Sequence, residues 1–68
     1  MAKVLAPHQQ RVVDERSELN EKIDKLKAFI MESPIYKTLP PEEQKRLNRQ
    51  CDVMIEYSRI LGDRIEAF

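Results

Sequence analysis

Two stretches of this chain repeat side chains at alternating steps of four and three, and a proline-bounded break separates them. In the first stretch Val12, Arg16, Leu19, Ile23, Leu26 and Ile30 occupy the repeating positions, Arg16 alone being charged. In the second the run is Leu47, Cys51, Met54, Ser58, Leu61, Ile65 and Phe68. Such spacing keeps one face of an α-helix against a neighbouring helix along its whole length. A half-buried strand would need strict alternation, which neither stretch has. The chain is therefore expected to be all-α.

The breaks set the layout. Pro7 suits a first helical turn, where its missing N–H is no loss. Ser33-Pro34 stops the first helix, because a residue before proline is pushed out of the α region. Pro40-Pro41-Glu42-Glu43 restarts one, with proline in the first turn and carboxylates where the helix dipole favours negative charge. The expected organisation is an N-terminal arm over 1–6, a helix over 7–32, a turn over 33–40 and a helix over 41–67. The two helices fold back as an antiparallel hairpin, with Ile35, Tyr36 and Leu39 capping its closed end. Gly62 falls inside the second helix at a cost of about 1 kcal/mol relative to alanine. A close backbone contact is the expected reason for it.

A hairpin of this kind is short of core. Chains this small bury only about 60% of their unfolded surface and usually need a staple or a partner. Cys51 is the single cysteine and His8 the single histidine, so neither a disulfide nor a structural metal is expected. Val53, Ile60 and the ring of Tyr57 add an apolar patch beside the main seam of the second helix. The arm, through Val4 and Leu5, is one candidate to cover it. The simpler expectation is self-association, giving a homo-oligomeric helical bundle.

Charge narrows the function classes. Twelve basic and twelve acidic residues balance to zero and are interleaved along the chain. A phosphate-backbone binder carries a basic excess or stripe, so nucleic acid is not an expected partner and a DNA-associated regulator is the weakest reading. No apolar run approaches the roughly 18–20 residues that span a bilayer. The segment MAKVLAPHQQ lacks the apolar core of a signal peptide, and a lone thiol suits a reducing compartment. A cytoplasmic protein without membrane contact is expected.

Catalysis finds no support in the motifs. There is no glycine-rich phosphate loop, no pair of metal ligands at helical spacing, and no nucleophile–base–orienter set. The expectation is a protein that is not an enzyme and uses no cofactor. What remains is a polar column. Gln50, Tyr57 and Arg64 lie seven residues apart on the edge of the second seam. An antiparallel turn is expected to bring Arg16 level with Tyr57 and Arg11 level with Arg64, with Glu15 one turn along as counter-charge. Arginine offers a planar fork of donors suited to phosphate oxygens. A tyrosine ring can stack on a base, and glutamine can read a base edge or ribose. Each residue also has a plainer reading: Arg16 and Arg64 as ion-paired register devices, Tyr57 as a packed ring with a satisfied hydroxyl.

The segments QQRVVDERSELNEKIDKLKAFI, LPPEEQKRLNRQ and MIEYSRILGDRI resemble a family of very short helical-hairpin proteins of bacteriophages, related to those of crAss-like phages. The resemblance covers residues 9–68 and implies a phage origin. Its size and origin are analogous to small helical phage proteins that sequester the nucleotide messengers of bacterial immunity. By that analogy the chain would be an anti-defence protein of the infected host's cytoplasm. It would hold a cyclic nucleotide of the CBASS or Thoeris type in an inter-subunit pocket without cleaving it. Arg11, Arg16 and Arg64 would contact phosphate, Tyr57 would stack, Gln50 would read a base or ribose, and Glu15 would complete the ligand-binding set. The alternative is a non-catalytic helical protein whose apolar patch binds a host or phage protein.

Overall fold

Proline sets three of the four helix boundaries around the hairpin. The computed structural model describes residues 4–68; of the expected arm over 1–6, residues 1–3 lie outside the described residues. The elements are α1 (Pro7–Glu32), α2 (Pro34–Thr38) and α3 (Pro41–Glu66), and no strand occurs among the described residues. Ala6 precedes Pro7 in extended backbone, at φ −66° and ψ 156°, and its N–H donates to Gln9 Oε1 at 2.9 Å. Ser33 is likewise extended, at φ −76° and ψ 127°, as a residue before proline must be.

The connection holds a helix of its own. Ser33 ends α1, yet its Oγ accepts the N–H of Ile35 at 3.2 Å while Pro34 opens α2. Serine at an N-cap followed by proline is a helix start as well as a stop, so the segment between the long helices winds into one turn rather than staying irregular. That turn is fastened to α3. Gln44 Nε2 donates to the carbonyls of Tyr36 and Leu39 at 3.0 and 3.1 Å, and Asn48 Nδ2 donates to Tyr36 Oη at 2.7 Å. The rings of Phe29 and Tyr36 meet edge to face with centroids 6.1 Å apart.

α1 and α3 pack along their lengths around a narrow core of Val12, Ile23, Cys51 and Leu61, of which Leu61 alone has no exposure at all. A polar stitch crosses the core beside it. Arg16 Nε donates to Ser58 Oγ at 3.5 Å, and Ser58 Oγ donates to Asn20 Oδ1 at 2.5 Å. Gly62 explains itself at this level. A Cβ there would lie 2.7 Å from Arg16 Cζ, so the glycine makes room for a guanidinium rather than for backbone. Because that group ends a flexible side chain and its hydrogen bond is long, it can move aside. Gly62→Ala should then keep most of its gain in helix propensity, about 1 kcal/mol. The expected result is a thermal midpoint unchanged or raised by a few degrees, with the Arg16 Nε–H resonance shifted; a marked fall would mean the seat is rigid.

The hairpin is a rod. Its Cα extents are 50 × 16 × 16 Å. Its radius of gyration is 15.5 Å, against about 11 Å for a compact chain of this length. The accessible surface is 5541 Å², about 1,000 Å² more than a compact monomer of 8.1 kDa shows. No helix among the described residues is long and apolar enough to cross a membrane.

Candidate functional site

α3 carries exposed apolar surface of its own. At about 100° per residue, Gln50, Val53, Tyr57, Ile60 and Arg64 fall within an arc of roughly 80°. All five are exposed, Val53 by 60%, Ile60 by 48% and Tyr57 by 42%. Arg46 belongs to the same row, being five full turns, or about 27 Å, from Arg64. The sequence Arg46, Gln50, Val53, Tyr57, Ile60, Arg64 therefore steps by four, three, four, three and four. It is a second complete seam, displaced by one residue from the seam that packs on α1. A helix with two such seams is built to be touched from two sides.

The described part of the arm does not cover this second seam. Val4 is itself 92% exposed, and the seam's apolar residues stay open. Between the side chains of Arg46, Arg49, Gln50, Val53 and Met54 lies an open groove of about 310 Å³. Gln50 Nε2 rests at 3.9 Å from Met54 Sδ along one edge. Arg46 is held by Glu43, Nε to Oε1 at 3.0 Å, on the solvent side. The side chains of Arg49 and Arg64 form no ion pair or hydrogen bond among the described residues.

The expected ligand-binding residues separate into groups. Gln50, Tyr57 and Arg64 share the outward row of α3. Arg11 and Glu15 are exposed on successive turns of α1, without side-chain partners among the described residues. Arg16 does not stand with Tyr57. It turns into the helix interface, where its guanidinium lies against Gly62 and its Nε reaches Ser58. Neighbours on a helix point about 100° apart, so a side chain that engages Ser58 faces a different side of α3 from the Tyr57 ring. Arg16 is thus occupied as a stitch between helices in this monomer.

Arg46 and Arg49 were not among the expected residues. The signal for Arg46 was available, one heptad step before Val53 in the outward row; Arg49 lies outside the row and is found by the groove it borders. Chemically the row offers cations near its ends, an amide beside one of them, and aliphatic and aromatic surface between. A convex helix face can bind an anion by its arginines but cannot enclose one; a second wall must come from elsewhere. No cluster of metal-ligating side chains is present among the described residues.

A family model described as Sequestin matches residues 6–67, nearly the whole chain. Comparison with curated proteins and with solved structures finds no match.

Proposed function

The chain belongs to the Sequestin family, and from that premise we propose that it is a bacteriophage anti-defence protein that captures a cyclic nucleotide immune signal. The family's name is consistent with a sequestering role. The signal would be of the CBASS or Thoeris type, held between subunits of a homo-oligomer in the cytoplasm of the infected cell and released intact. The carrying observation is the outward row of α3, where Arg64 has no partner among the described residues and stands one heptad from Tyr57 and two from Gln50. Arg64 and Arg11 contact phosphate, Tyr57 stacks on a base, and Gln50 reads a base edge or ribose. Glu15 accompanies Arg11, and Arg16 joins only if it leaves its seat on Gly62.

Titration calorimetry with a panel of cyclic di- and trinucleotides and cyclic ADP-ribose isomers tests this reading. At least one is expected to bind and to be recovered unchanged by chromatography. Arg64→Ala should weaken that binding about 10- to 100-fold, the size of a charge-assisted hydrogen bond worth about 1.5–3 kcal/mol. No heat and no thermal shift with any member of the panel would end the proposal.

The exposure of Val53 and Ile60 favours a second reading, in which the row captures a helix of a host or phage protein. That version separates cleanly from the first: Arg64→Ala would be mild, whereas a charge at Val53 or Ile60 would abolish capture.

A further inference from the structure

We infer that α3 is the interface of a two-fold dimer, its outward seam lying antiparallel on the same seam of a second copy. The inference rests on the sequestering reading for what the assembly holds, but not for the pairing itself.

Three observations carry it. The seam reads the same in both directions, four, three, four, three, four, so it can register with an inverted copy of itself. Centred between Val53 and Tyr57, the pairing sets Val53 on the partner's Tyr57, Gln50 on the partner's Ile60, and Arg46 beside the partner's Arg64. The face also needs cover. Val53, Tyr57 and Ile60 stand open on one stripe of α3, and pairing with a copy removes all three from water.

Charge selects the direction. In the antiparallel arrangement Arg49, which has no ion pair among the described residues, comes alongside the partner's Asp63, and the contact repeats by symmetry. Glu56 meets the partner's Glu56 at the axis, where Arg59 already neutralises it at 3.4 Å. Either direction brings the seam's arginines together in two places, Arg46 with the partner's Arg64 or each with its own copy, so the flanking charges decide. In a parallel arrangement Arg49 would lie opposite the partner's Met54 and Glu56 opposite the partner's Leu61, so neither charge would find an opposite. The antiparallel dimer also completes the groove of Arg46, Arg49, Gln50, Val53 and Met54. The partner's Ile60 closes it from above, and the partner's Arg64 adds a third guanidinium at its end. The dimer thus has two equivalent cationic corners, each built from both chains.

Cysteine cross-linking tests the geometry in the full chain. In a Cys51→Ser background, a tagged Gln50→Cys chain and an untagged Ile60→Cys chain are co-expressed and mildly oxidised. The expected product is the mixed disulfide dimer, with little cross-linking when either variant is made alone. Strong cross-linking of each variant with itself would establish the parallel arrangement and overturn the inference. So would an 8 kDa species by light scattering together with no cross-link. The readout involves no nucleotide. A mixed dimer that binds nothing from the panel leaves the interface standing and removes the sequestering role; binding without the mixed dimer does the reverse.

Discussion

Leu61→Ala is expected to leave the chain largely unfolded at micromolar concentration. Among the described residues Leu61 is the one side chain with no exposure, set in a core that otherwise holds Val12, Ile23 and Cys51. Truncating a buried leucine costs about 2–5 kcal/mol, because the lost transfer free energy is joined by the cavity left behind. A single core in a chain below about 70–80 residues rarely supplies more than about 3–5 kcal/mol. The two figures are comparable, so one truncation removes most of what holds α1 to α3. Two helices of this length keep little structure when separated, since most helical stability comes from packing. Far-UV circular dichroism with a urea titration reads the effect. A cooperative melt within a few degrees of the parent would place the stabilising contacts elsewhere.

Val53→Asp is expected to act oppositely: helix content persists and assembly is lost. Val53 is 60% exposed in the monomer, so a carboxylate there costs the isolated hairpin little. Across a two-fold seam every substitution counts twice. Each carboxylate would be buried against an aromatic ring, at about 1–3 kcal/mol for an uncompensated polar group. Two such costs together correspond to roughly 30-fold or more in the dimer dissociation constant. Sedimentation or light scattering should show the mass falling to that of one chain. The thermal midpoint should also stop depending on protein concentration, because stability drawn from association follows mass action. An unchanged mass would exclude this face of α3 from the interface.

Much of the helical layout was legible because proline speaks locally. Ser33-Pro34 and Pro40-Pro41 interrupt two four-three repeats, and a one-residue reading of backbone preference places the long helices. What escaped depends on three-dimensional register. Ser33-Pro34 reads locally as a stop, whereas the Ser33 hydroxyl also begins α2. Arg16 does come within one residue of the level of Tyr57, but it faces Ser58 and Gly62 on the side of α3 turned toward α1, and facing is not read from height along a hairpin. The apolar patch of Val53, Tyr57 and Ile60 was visible in the sequence. So was the polar column of Gln50, Tyr57 and Arg64; joining patch and column, with Arg46, into one seam took the exposures along α3. Arg49 has no periodic signature; its interest comes only from the groove it borders.

The hairpin is fastened at two heights, with a mechanical consequence. Tyr36, Gln44 and Asn48 tie α2 to α3 through polar contacts, and toward the other end Val12, Leu61 and the stitch of Arg16, Ser58 and Asn20 hold α1 on α3. The molecule is therefore clamped twice, by a polar latch beside Tyr36 and by an apolar grip around Leu61. Amide exchange should be slowest around Leu61, which has no exposure, and faster beside Tyr36, where no residue of α2 is buried, as local opening free energy follows local packing. Arg11 and Arg64 lie within a few residues of that grip, next to Val12 and beyond Leu61, so a guest that bridges them meets backbone already held and forfeits little in ordering it.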